Sequence, residues 1–141
     1  MEKFDVVIVG AGTAGLLLAR ELGKLKYNIL VIDRKKDILE FSFNTLGSFI
    51  NLDQFGLSRN VVAQDIDTIA LHSKSVKRRI KSSLYILDKK QVHIELLGAV
   101  DTKYVSIKTG INIKNIETDV DGKFVAIIDQ NKEKYFGKLF V

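Results

Sequence analysis

Residues 4–33 read FDVVIVGAGTAGLLLARELGKLKYNILVID, and this stretch decides the fold. Val6-Val7-Ile8-Val9 is a run of β-branched residues, the composition of a strand buried on both faces. Gly10-Ala11-Gly12-Thr13-Ala14-Gly15 follows at once, a G-x-G-x-x-G. A helical run then extends from Leu16 to Leu25, with Ala19 and Leu22 on the face that returns to the sheet. A second apolar strand, Ile29 to Ile32, ends on Asp33.

Each part has a physical reason. Gly10 permits a tight turn from strand to helix, Gly12 lets backbone approach a pyrophosphate with no Cβ in the way, and Gly15 lets helix and strand pack closely. The backbone N–H groups and positive end of the helix then face phosphate. Asp33 stands about 18 residues beyond Gly15, at the strand tip where a carboxylate accepts hydrogen bonds from both ribose hydroxyls. Strand, glycine turn, helix and acid in this order predict a dinucleotide-binding βαβ unit. The competing readings are a glycine-rich turn in an unrelated α/β protein and, for Asp33, a plain surface acid. Arg34 is read either as a phosphate or adenine-edge contact or as a solvated charge, and Lys35 and Lys36 as solvated.

Outward from this unit, 141 residues suffice for one domain with a real core, and 46% hydrophobic with 28% charged residues fits a globular protein. No apolar run approaches a membrane span, and the N-terminus opens on a strand, leaving no room for a signal peptide; a cytoplasmic location is expected. Without cysteine there are no disulfides, thiolate metal sites or C-x-x-C redox chemistry. The net charge of +5 suits phosphate ligands but does not by itself point to nucleic acid.

After Asp33, residues 34–40 read as a turn with a short helix, and residues 38–60 as loop with helical fragments. Phe41, Phe43, Phe49 and Phe55 are expected to pack as a satellite core cluster rather than line a cavity. Residues 65–71 and 75–83 predict two strands joined near Ser73-Lys74. Lys74, Lys77, Arg78, Arg79 and Lys81 make this 65–83 excursion a strongly basic hairpin, which a solvated, aggregation-resistant edge also explains. Asp88 is a suitable N-cap for a helix running to Val100. Tyr104 to Lys108 is a strand. Ile111–Glu117, Lys123–Asp129 and Glu133–Phe136 form an antiparallel meander turning at Asp121-Gly122 and Gln130-Asn131. Lys138-Leu139-Phe140-Val141 begins one more strand and stops, so a truncated chain is expected. The whole reads as one domain, residues 1–141: an α/β, Rossmann-like βαβ with a parallel sheet and a three-stranded antiparallel meander.

This layout resembles the FAD-binding region of the flavoprotein oxidoreductases of the para-hydroxybenzoate hydroxylase and geranylgeranyl reductase family. Flavin-dependent halogenases and lycopene cyclases look similar at this level. VVIVGAGTAGLLLAR is similar to the family's first FAD fingerprint, and VIDR, at 31–34, to its acid-plus-Arg strand end, with Asp33 where the family usually has Glu. YILDKKQVHIELL, from Tyr85, resembles the segment that opens the second long helix with Asp-Arg; Lys89 replaces the Arg. INIKNIETDVDGKFVAIID resembles the meander whose first strand touches adenine through its backbone, at a position matching Ile113. The resemblance therefore implies FAD as cofactor and Gly10 to Gly15, Asp33, Arg34, Lys89 and Ile113 as its contacts. It also implies that the family's downstream Gly-Asp flavin motif and its substrate domain are absent from these residues.

In such enzymes the flavin carries the chemistry and the protein binds and orients it, so no catalytic residue is assigned here. His72 and His93 read as surface or core-edge residues, and no metal-ligand spacing appears. Two other classes stay open: an NAD-binding domain of a dehydrogenase, and a non-catalytic module of the same fold that binds a partner or nucleic acid through its basic hairpin. The small-molecule substrate is not legible in these residues.

Overall fold

The computed structural model describes residues 2–118 and 125–141. The chain divides into two compact units, Met1–Glu40 with Leu96–Val141, and Phe41–Glu95.

The first unit starts with β1 (Lys3–Val9), α1 (Thr13–Lys24) and β2 (Ile29–Asp33). β1 and β2 pair in parallel, Val6 opposite Ile29 and Val9 opposite Ile32, so the strand–helix–strand reading holds, and α1 opens at Thr13 rather than Leu16. Every residue of β2 up to Ile32 is buried, which is why its sequence is continuously apolar rather than alternating. Leu16, Ala19, Arg20 and Gly23 are the buried positions of α1. A Cβ on Gly23 would lie 2.9 Å from Val105 Cγ2, so that glycine sets how closely the helix packs on the sheet.

The sheet of this unit has six strands in the order β6-β2-β1-β9-β8-β7, where β6 is Val105–Thr109, β7 Ile113–Thr118, β8 Val125–Asp129 and β9 Lys134–Phe140. β6, β2, β1 and β9 are mutually parallel, and β7-β8-β9 is the antiparallel meander. The third meander strand and the final strand, read separately from sequence, are one continuous strand. Gly137 sits at its middle because a Cβ there would lie 2.8 Å from Val7 Cγ2. The Asp121-Gly122 turn lies outside the described residues. The predicted Gln130-Asn131 turn is present: the Asp129 carboxylate accepts from the N–H groups of Asn131 (2.8 Å) and Glu133 (2.9 Å). Tyr135 completes this corner, its hydroxyl 3.0 Å from Glu133 and 3.3 Å from Asp129. Burial first, and the Glu133 carboxylate second, hold the phenol well above its ordinary pKa.

Ile127 and Tyr135 of the meander pack in one cluster with Phe4, Val7, Leu30 and Ile32. In a flat sheet β8 and β2 would stand three strand spacings apart, about 14 Å. The cluster therefore runs across neighbouring strands, from β8 through β9 and β1 to β2. Burial of these side chains stabilises the unit at roughly 1.5–3 kcal/mol each.

The second unit is a three-stranded antiparallel sheet in the order β3-β5-β4: β3 (Thr45–Ser48), β4 (Val62–His72) and β5 (Lys77–Asp88). The expected hairpin is present, with both strands longer than read and β5 running on to Asp88. β3 was not legible: the loop expected over 38–60 contains this strand and two 3-10 turns, Asp53–Phe55 and Arg59–Val61. Residues 34–40 form bends and a turn, with no helix; the Asp37 carboxylate accepts from Leu39 N–H and so favours a turn over helix propagation. The phenylalanine cluster does not form as a core, since Phe43 is 78% and Phe49 67% exposed. α2 (Lys89–Gly98) begins in this unit, and Asp88 caps it as expected, accepting from Lys90 (2.9 Å) and Gln91 (3.1 Å) N–H. His93 on this helix is buried, edge-on to the Phe41 ring at 4.7 Å, while His72 is exposed beside the hairpin turn. Among the described residues no helix is long and apolar enough to cross a membrane.

Candidate functional site

Parallel pairing brings the carboxyl ends of β1, β2 and β6 to one edge of the sheet, the place where open α/β sheets bind ligands. The three glycines there differ in what they do. Gly10 turns the chain at φ +121°, a conformation open to glycine alone. Gly15 passes so close to Gly10 that a Cβ on it would lie 2.0 Å from the Gly10 carbonyl oxygen. Gly12 is under neither constraint: φ −75° and ψ 179° suit any residue, and a Cβ there would meet nothing within 4 Å. Its missing side chain leaves open space in front of α1.

Gly12 is also the N-cap of α1 and has no side chain to cap it; the first turn has no acidic residue. Helix geometry leaves first-turn N–H groups without intrahelical acceptors, and the dipole adds positive potential there. The end of α1 is thus open to an anion.

Asp33 is tied to the turn. Its Oδ2 accepts from Ala11 N–H at 2.7 Å and its Oδ1 from Lys35 N–H at 2.8 Å, while its carbonyl accepts from Ile111 N–H at 3.0 Å. Lys35 carbonyl accepts in turn from Gly110 N–H, and Gln130 grips the same connection through Asn112 N–H (2.6 Å) and Gly110 O (3.1 Å). The 110–112 loop is therefore held against the tip of β2. A cleft of about 470 Å³ results, lined among others by Gly10, Gly12, Asp33, Arg34, Asn112 and Ile113. A depression of about 340 Å³ shares Gly10 and Gly12 and adds Ala14 and Gly15.

The residues expected at the site in the first unit thus come together, Ile113 included, although eighty positions separate it from Asp33 along the chain. Lys35 also lines the cleft, and its ammonium donates to Glu40 O at 2.7 Å. Lys89 belongs to the second unit, where its ammonium lies 4.9 Å from the Phe41 ring centroid. Asn112 and Gln130 were missed. Gln130 was read only as a turn residue, and nothing in sequence marks a side chain that reaches back to a loop about twenty residues earlier. A second cleft of about 470 Å³, in the second unit beside Phe49, Arg59 and Tyr85, holds none of the expected residues. There the Arg59 guanidinium pairs with Asp65 and lies over the Tyr85 ring, and Asp65 holds its pKa above the ordinary value.

A parallel strand–helix–strand unit with this glycine turn, an acid at the β2 tip and an antiparallel meander extending the same sheet defines the FAD-binding fold of flavoprotein oxidoreductases. The chain belongs to the lycopene cyclase protein family, whose model matches residues 5–135. It is 30% identical over 100 residues to kynurenine 3-monooxygenase of Christiangramia forsetii, a match covering 71% of this chain and 20% of that protein. Among solved structures it superposes on PqsL of Pseudomonas aeruginosa with a TM-score of 0.76 at 14% identity, covering 99% of this chain and 42% of that one. A geranylgeranyl bacteriochlorophyll reductase-like protein of Thermoplasma acidophilum gives a TM-score of 0.75 at 20% identity, covering 99% and 38%. At these identities the superpositions establish fold. The chain spans less than half the length of each of these proteins. None of them favours the dehydrogenase alternative.

Proposed function

We propose that this chain is the FAD-binding portion of a flavin-dependent oxidoreductase of monooxygenase or reductase type, holding the ADP moiety across the Gly10–Gly15 turn and at Asp33. One observation carries the reading: Gly12 has ordinary backbone angles and empty space where its Cβ would be, at the N-cap of a helix with no acidic residue in its first turn. Neither local conformation nor packing requires glycine there, whereas a phosphate approaching the backbone does. Bound FAD supplies hydride or oxygen chemistry, and this chain's residues bind and orient it. First-turn N–H groups of α1 would receive the pyrophosphate. Asp33 has lone pairs beyond the two it gives to Ala11 and Lys35, enough to accept from ribose hydroxyls. Ile113 and Asn112 would border the adenine, with Arg34 at the rim. A cytoplasmic location belongs to the same proposal.

Calorimetric titration with ADP and FAD tests the reading, and Asp33 separates it from its rivals. Hydrogen bonds to a charged acceptor are worth roughly 1.5–3 kcal/mol, so Asp33→Ala should weaken ADP by about ten- to a hundredfold. It should also lower stability, because the carboxylate ties Ala11 and Lys35 N–H groups. Asp33→Asn keeps one acceptor for the turn and should recover part of that stability without recovering ADP affinity. Binding of ADP at parental strength by both variants would remove Asp33 from the site.

A further inference from the structure

The distal half of the β4–β5 hairpin is built unlike the rest of the surface. β3 reaches β5 only at Tyr85–Asp88, so from Thr68 to Lys81 the sheet is a two-stranded ribbon. Every residue from Ala70 to Lys81 is exposed. Directly paired residues project to one side of an antiparallel ribbon. Ile69, Leu71, Arg78 and Ile80 therefore share one face, and Ala70, His72, Lys77, Arg79 and Lys81 the other. Ser73 closes the tip: its N–H donates to Val76 O at 2.8 Å and its hydroxyl accepts from Val76 N–H at 3.1 Å. The leading end is thus ordered, with Leu71 53% and Val76 49% exposed.

Charge concentrates around that end. Lys74, Lys77, Arg78, Arg79 and Lys81 fall within residues 71–81, which contain no acid. Elsewhere Lys24, Arg59, Lys134 and Lys138 pair with carboxylates. Among the described residues none of the hairpin cations forms such a pair. At about 3.3 Å per residue, Ile80 stands roughly 13 Å back from Val76. Val76 beside Lys77 and Leu71 opposite Arg78 thus lie among the cations, within about 10 Å of the turn and so within the depth at which apolar side chains enter a lipid headgroup boundary, about 5–10 Å.

We propose that this hairpin docks tip-first on an anionic lipid surface, Leu71 and Val76 entering the headgroup boundary while Lys74, Lys77, Arg78 and Arg79 meet lipid phosphates. A second copy of the chain would bring the same cations against these and be repelled. A nucleic acid would satisfy the cations but leave the exposed Leu71 and Val76 against a polar backbone. Long basic side chains interleaved with two exposed apolar ones suit the lipid interface on both counts. The inference does not depend on the dinucleotide reading, since the hairpin holds none of the residues assigned to that site.

The test is co-sedimentation of the 141-residue protein with vesicles of phosphatidylcholine alone, or with about a third phosphatidylglycerol. Binding is expected to the acidic vesicles only and should fall as salt rises. Lys77→Gln/Arg78→Gln/Arg79→Gln should weaken it about a hundredfold, each cation near an anionic surface contributing about fivefold. Leu71→Ser/Val76→Ser should weaken it about tenfold with every charge in place. All five positions are exposed, so circular dichroism and ADP titration should match the parent. Equal binding to both vesicle types, or none to the acidic ones at low salt, would overturn the proposal. So would tighter binding to an oligonucleotide duplex that the Leu71→Ser/Val76→Ser variant retains, which would assign the hairpin to nucleic acid.

Discussion

Gly15→Ala is expected to destabilise the first unit by about 3 kcal/mol or more, lowering the melting temperature by about 10 °C or more. The new methyl carbon would sit 2.0 Å from the Gly10 carbonyl oxygen, 3.2 Å from its carbonyl carbon and 3.3 Å from Ile8 Cγ2. Two of those atoms are backbone, and Gly10 cannot swing aside because its φ of +121° is already a conformation only glycine adopts readily. Relief requires α1 to lift from β1, which would also disturb packing around the fully buried Leu16 and Ala19. Gly98→Ala is the control. That position ends α2 with nothing within 4 Å of a new Cβ, so the same methyl should leave stability unchanged or raise it by up to about 0.5–1 kcal/mol. Thermal denaturation followed by circular dichroism reads both. A Gly15→Ala protein that melts with the parent would mean that helix and strand do not meet at this glycine.

What the sequence made legible follows from the range over which each signal acts. β1, α1 and β2 could be read because their cues are local: a β-branched run, glycines at turn spacing, and an apolar run buried on both faces. The Asp88 cap was legible for the same reason, since the groups that it serves lie two and three residues on. β3 was not, because Thr45-Leu46-Gly47-Ser48 has little strand propensity and exists through pairing with residues 85–88, about forty positions away. The merger of the last two strands was hidden by Gly137, which looks like a break until Val7 is seen against it.

At the site the division is similar. The glycine turn and Asp33 announced themselves by spacing, and the position of Ile113 came through a family resemblance rather than through any local cue. Reading Asp33 as an exposed strand tip missed its hydrogen bond to Ala11 N–H, which joins residues 22 positions apart. The clip made by Gln130 was invisible for the same reason. The four phenylalanines misled in the other direction, since composition says how apolar a stretch is and not what covers it.

Gly12→Val is expected to abolish detectable binding of ADP and FAD, at least about a hundredfold weaker, in a protein that still folds. The estimate corresponds to losing two charge-assisted contacts of roughly 1.5–3 kcal/mol each when a branched side chain holds phosphate off the backbone. The fold should survive because φ −75° and ψ 179° suit valine and the Cβ meets nothing within 4 Å. Its cost should be confined to the N-cap, where valine is worse than glycine by up to about 1 kcal/mol. Gly12→Ser sharpens the argument. A serine hydroxyl at this N-cap can accept from a first-turn N–H and should stabilise α1 by a few tenths of a kcal/mol. It should nevertheless weaken ADP, because the hydroxyl occupies the space and takes a donor intended for phosphate. A more stable protein that binds less well is the outcome expected if the bare helix end is kept open for a ligand. Calorimetry and thermal denaturation on the parent and both variants separate the two quantities. If the serine variant gained stability and kept full affinity, the phosphate would have to lie somewhere other than before Gly12.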